Sequence, residues 1–203
     1  MKALIKLWCV LIFASPLCVA DTELENTLFE LAKERYSPQQ ENGSKTYYKR
    51  FLENEDELLG ALVDHFKSKD DRFNFHLMLM AGDYFTYELL TSSERSILLD
   101  AIIYKIQTLD SDIAELPAWD VLRYNLQESE LNKVSPLISM QGGGLKPKVI
   151  NFIVQRKAVE MIDELEAALA SEHKKEEGEA RNLEIKILEK AIESLNIQRN
   201  QME

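Results

Sequence analysis

The sequence is poor in the residues that most often announce chemistry. It has two cysteines among 203 residues, Cys9 and Cys18, both in the first twenty. A chain beginning after Ala20 would carry no disulfide, no thiol nucleophile and no thiolate metal ligand. The histidines are three, His65, His76 and His173, with no i, i+4 pair and no Glu-x-x-His. The helical zinc and di-iron patterns are therefore missing, and no metal ligand set and no cofactor are implied. The carboxylates of Asp110, Asp112 and Glu115 alternate but lack the glycine and the twelve-residue frame of a calcium loop. Gly-x-Ser-x-Gly is absent as well, so no serine stands in a nucleophile elbow. Positive charge is in deficit: 24 Lys and Arg face 35 Asp and Glu, a formal charge of −11. A field of that sign repels phosphate backbones and anionic lipid heads, which argues against nucleic acid; it is compatible with a basic protein as partner, although most acidic proteins are merely soluble.

What is present begins with MKALIKLWCVLIFASPLCVA. Lys2 and Lys6 make a short cationic start, Leu7 to Ala14 is apolar, Pro16 interrupts, and small residues occupy the −3 and −1 positions before a cut at Ala20. That is the layout of a secretory signal peptide over 1–20. Its uncharged run is shorter than the ~20 residues a spanning helix needs. Cleavage near Ala20 predicts a periplasmic or secreted protein of charge −13, without stable membrane insertion.

The rest reads as helices. Thr22 with Glu25, Asn54 with Glu57, and Thr91 with Glu94 have capping-box spacing. Leu24, Leu28 and Leu31 share a face, as do Leu58, Leu62, Val63 and Phe66. The apolar run from His76 to Leu90 predicts a central helix, and Leu98, Ala101, Ile102 and Leu109 mark the buried side of the next. Pro117 and Pro147 suit first helical positions. Trp119, Leu122 and Leu126 share a face; Val149, Phe152, Ile153, Ile162, Leu165 and Leu169 read as one continuing helix. No run alternates apolar and polar residues in the manner of a strand. The fold class is all-α, a helical bundle or a short array of antiparallel helix pairs.

Residues 21–170 form the helical domain in this reading, and 171–203 a charged turn and an amphipathic helix. Ser171 to Glu179 holds no apolar residue and includes Gly178. This predicts a C-terminal helical hairpin; a single long helix bridging solvent is the competing reading. Leu183, Ile187, Leu188, Ala191, Ile192 and Leu195 cover about half the circumference of the last helix, enough to enter the core or to dock on a partner.

The only glycine cluster, Gly142 to Gly144, precedes Leu145-Lys146-Pro147 with no strand leading in and no Lys-Ser or Lys-Thr ending. It reads as a hinge between helices and not as a phosphate cradle. Around it, Glu128-Ser129, Ser135, Gly144-Leu145 and Pro147 resemble the catalytic segment of the peptidoglycan lytic transglycosylases, which are helical and exported. Met140-Gln141 precede the glycines instead of following the leucine, and no Tyr-Asn-Ala-Gly-like segment follows. The resemblance implies Glu128 as a general acid, a role that requires burial to raise its pKa.

Aromatic residues crowd the first half, and Tyr47, Tyr48, Tyr84 and Tyr87 are the candidate exposed members of a surface site. With the apolar face of the last helix, represented by Leu183, Ile187, Leu188 and Ile192, they are the candidate contact residues. The leading expectation is an exported, non-catalytic helical protein acting by protein–protein binding in the bacterial envelope, of the inhibitor, immunity or accessory type. The alternative is a transglycosylase-like enzyme centred on Glu128.

Overall fold

The computed structural model describes residues 15–36, 43–72, 74–109, 112–140 and 144–202. Every regular element among them is helical, so the chain is an all-α helical bundle. It divides into two compact units, the first ending at Leu89 and the second beginning at Leu90.

The first unit contains α1 (Ser15–Tyr36), α2 (Gly43–Glu53), α3 (Glu55–Lys67) and α4 (Asn74–Thr86). Helix α1 is the hub and packs on the other three. Its Leu28, Phe29, Leu31 and Ala32 are buried, the i, i+3, i+4 set expected of an inward stripe. Leu58, Leu62, Val63 and Phe66 of α3 face the same core, as do Leu77, Met78, Met80 and Ala81 of α4.

Two of the expected helix starts differ here. Helix α1 runs straight through Thr22 and Glu25, because nothing between Pro16 in its first turn and Tyr36 breaks it. Asn54 does precede α3, but its amide turns back to donate to the Arg50 carbonyl at 2.8 Å and makes no cap bond.

The second unit contains α5 (Ser92–Thr108), α6 (Asp112–Asn125), a 3₁₀ segment (Glu128–Val134), α7 (Ser135–Ile138), α8 (Leu145–Gln155), a second 3₁₀ turn (Val159–Met161), α9 (Ile162–Glu172) and α10 (Glu179–Met202). The capping box at the head of α5 is complete. The Thr91 N–H donates to Glu94 Oε2 at 2.9 Å, and the Glu94 N–H to Thr91 Oγ1 at 3.3 Å. Leu98, Ala101 and Ile102 are buried as expected, as are Trp119, Leu122 and Leu126.

Pro117 is not a helix start. It lies inside α6, where packing of the buried Ala118, Trp119, Val121 and Leu122 offsets the backbone bond that proline forgoes. The helix expected to continue through Leu169 breaks after Gln155. Lys157 takes φ 55°, its N–H donates to the Val154 carbonyl, and the Ala158 N–H donates to the Ile153 carbonyl. That is a Schellman termination with lysine where glycine usually sits.

The hairpin is present: α9 and α10 pack together across the turn at 173–178. Leu188, Ala191 and Leu195 of α10 are buried, and the helix packs on α8 and α9. At its base Lys146, from the first turn of α8, donates to Glu172 Oε1 at 2.6 Å and to Glu184 Oε2 at 2.7 Å. Lys175 donates to the same Glu172 oxygen at 2.7 Å, and Arg181 donates to the Glu172 carbonyl at 3.0 Å. Gly142 and Gly143 lie outside the described residues. Gly144 has φ −78°, so no left-handed backbone calls for glycine there.

Candidate protein-binding surface

The candidate surface grows from an arrangement of rings in the first unit. On α2, residues 47 and 51 share one face and residues 48 and 52 the next, a rotation of about 100° away. The first face is core: Tyr47 and Phe51 are fully buried and stack at 5.6 Å and 17°. The second face looks outward, with Tyr48 half-buried and Leu52 47% exposed.

Tyr87, 43% exposed, meets Tyr48 edge to face at 5.4 Å. It follows the last turn of α4 directly, and its N–H donates to the Asp83 carbonyl at 3.0 Å. Glu88 then takes φ 54°, with the Glu88 N–H on the Phe85 carbonyl and the Leu89 N–H on the Tyr84 carbonyl. This is a second Schellman termination without glycine, and it fixes where Tyr87 points.

Beneath the surface the rings connect to a part-buried ion pair. Tyr48 meets Tyr47 at 5.1 Å, and Phe51 meets Tyr84 edge to face at 4.9 Å. The Tyr47 hydroxyl donates to Asp83 Oδ2 at 2.8 Å. Arg35 grips the same carboxylate, Nε to Oδ2 at 2.9 Å and Nη2 to Oδ1 at 3.3 Å. The Tyr84 hydroxyl donates to the Glu55 carbonyl at 2.7 Å.

The electrostatics follow from this packing. Burial raises the Tyr47 phenol well above its ordinary range, and the adjacent Asp83 carboxylate adds to the rise. Tyr84 is raised by burial and by Glu55. The Tyr87 phenol is pushed up to about 12, first by its hydrogen bond with Tyr48 and then by burial. All three phenols are neutral at physiological pH, so the patch is apolar with hydroxyl edges.

The expected tyrosine site is thus halved. Tyr47 and Tyr84 are core residues, since α2 and α4 turn those positions inward; Tyr48 and Tyr87 reach the surface. Leu52 completes the patch. Its spacing four residues after Tyr48 was its signal in the sequence. The last helix divides in the same way. Leu188 is buried in the hairpin core, Ile187 and Ile192 flank it half-buried, and Leu183 is 60% exposed. Ile97 and Tyr104, two turns apart on α5, are exposed too.

Glu128 opens the first 3₁₀ segment and is exposed, so the burial needed for a general acid is missing at that position. Its neighbour Glu130 is the engaged carboxylate. Arg95 donates to both of its oxygens at 2.9 Å, and the Gln127 N–H donates to Oε2 at 2.9 Å.

No protein-family model matches the chain, and no curated protein or solved structure shows significant similarity to it. The functional reading therefore rests on the geometry. Among the described residues no helix is long and apolar enough to cross a membrane.

Proposed function

We propose that this chain is an exported, non-catalytic helical protein of the bacterial envelope that works by binding another protein, as an inhibitor, an immunity factor or an accessory subunit. The observation that carries the reading is the Tyr48–Leu52–Tyr87 patch. Tyr87 is exposed and Tyr48 half-buried, and the two rings are braced from below by Tyr47, Phe51 and the Arg35–Asp83 pair. Braced aromatic side chains give contact area at little entropic cost, the property of interface anchors. The partner is basic in this reading, because a chain of charge −11 steers cationic surfaces and raises their association rate.

A photo-crosslinking amino acid at position 87, introduced in the native host, tests it. The expected result is one predominant envelope-protein adduct that disappears with Leu52→Glu and weakens with salt. Adducts that persist in Leu52→Glu, or that match those from a crosslinker at exposed Tyr124, would overturn it.

A further inference from the structure

The first unit also holds a cleft of about 500 Å³, lined among others by Glu25, Glu57, Asp64, His65 and Asp70. Within it, one ligand atom each from Glu25, His65 and Asp70 lie within 4.8 Å of one another. The three come from separate parts of the unit: α1, the last turn of α3, and the loop beyond it.

That loop is built to return. The Ser68 N–H and hydroxyl both donate to the His65 carbonyl, at 3.0 and 2.8 Å, and the Asp70 N–H donates to Ser68 Oγ at 3.0 Å. Asp70 is thereby folded back beside His65. The imidazole is 6% exposed and set edge-on to Phe29 at 5.4 Å, which fixes its plane.

A cation already occupies the mouth. Arg72 reaches Asp70 with Nε at 2.9 Å and Nη2 at 2.5 Å, and Glu25 with Nη2 at 3.2 Å. Its side chain is 64% exposed, so it can leave into solvent without unpacking the core. Its guanidinium also lies 5.1 Å over the Phe29 ring.

We propose that Glu25, His65 and Asp70 form a site for one divalent first-row transition ion, of which Zn²⁺ is the probe, and that Arg72 is the tethered cation the metal displaces. The donor set is one imidazole and two carboxylates with no thiolate, which suits zinc and does not suit the all-oxygen preference of calcium or magnesium. Tetrahedral zinc at ~2.0–2.2 Å from each ligand places the donors about 3.4 Å apart. Donors now within 4.8 Å close to that separation by shifts of about an ångström. Water takes the fourth position, and Asp64 and Glu57 line the same cleft. The sequence conceals this set, because its members lie 40 and 5 residues apart and follow no ligand motif.

Calorimetric titration of the untagged full-length chain with ZnCl₂, MgCl₂ and CaCl₂ tests the assignment. One Zn²⁺ per chain binds saturably, and Mg²⁺ and Ca²⁺ bind more weakly. Asp70→Asn and Glu25→Gln each lower the zinc affinity at least as much as loss of an outer-shell partner does, about 10-fold or more. Arg72→Ala tightens it by up to about fivefold, the competition an exposed ion pair offers. No saturable zinc binding, zinc binding that survives both carboxamide variants, stronger binding of Ca²⁺ or Mg²⁺, or weaker binding in Arg72→Ala would each overturn it. Arg72→Ala changes only an exposed side chain, so that arm reads the site in a folded protein.

Discussion

In the first unit a buried anion is neutralised by a cation that stays partly in solvent, and in the second a buried cation and a buried anion neutralise each other. Asp83 sits among tyrosines, and the Arg35 that neutralises it keeps about a third of its side chain in solvent. Lys146 is 2% exposed and Glu172 4%, so that pair is sealed from water, with Glu184 closing one side. The difference lies in what each pair is connected to. The Asp83 carboxylate anchors rings that lead outward to Tyr48 and Tyr87, so its neutralisation shapes a surface. The Lys146 amine joins α8, α9 and α10 at the base of the hairpin, so its neutralisation shapes a core. Charged networks that look alike by composition thus underlie a surface in one unit and a core in the other.

The largest test of this contrast is removal of α10 by a stop codon after Gly178. Two buried leucines are lost, at about 2–5 kcal/mol each, against a typical domain stability of ~5–15 kcal/mol. The second unit should lose its cooperative transition, followed by Trp119 emission in a Trp8→Phe background. An unchanged midpoint would move α10 outside the core.

Next comes Lys146→Ala, which leaves Glu172 buried with only Lys175 and costs about 3–5 kcal/mol, read as a drop in the urea midpoint. The same site responds to acid. Burial alone would raise Glu172, but hydrogen bonds from Lys146 and Lys175 outweigh it and hold the carboxyl at about 2, below its ordinary 4.5. A depressed folded-state pKa contributes stability above pH 4.5 that fades as pH falls toward 2. Stability measured against pH should decline through that window in the parent chain and decline less in Lys146→Ala.

Tyr47→Phe is milder, about 1.5–3 kcal/mol, because Asp83 keeps both bonds from Arg35. It should also loosen the Tyr48–Tyr87 pair, visible as greater ring mobility by NMR. The smallest effect is common to both units. Glu88→Gly and Lys157→Gly, each relieving a left-handed residue, should stabilise by about 1 kcal/mol apiece in denaturant titrations.

The parts of this architecture that depend on neighbours a few residues away were readable in the sequence. The Thr91–Glu94 box, the shared face of Trp119, Leu122 and Leu126, and the turn before α10 all follow from spacing and composition. Choices between two apolar faces were not. Tyr47 with Phe51 and Tyr48 with Leu52 are equally good helical pairs, and only packing against α1 and α4 decides which goes inside. The break at Lys157 carries neither glycine nor proline, so no local signal marks it. Lys146 reads as a solvated lysine until the fold brings Glu172 and Glu184 to it from 26 and 38 residues away. The exposed state of Glu128 was equally invisible, since sequence spacing does not report depth.

One consequence of the Lys146 arrangement concerns reagents. At 2% exposure and enclosed by two carboxylates, this amine is out of reach of an acylating probe while the hairpin stays shut. Solvent-facing lysines such as Lys190 modify at once, so the lag before Lys146 is tagged times how often the last two helices part.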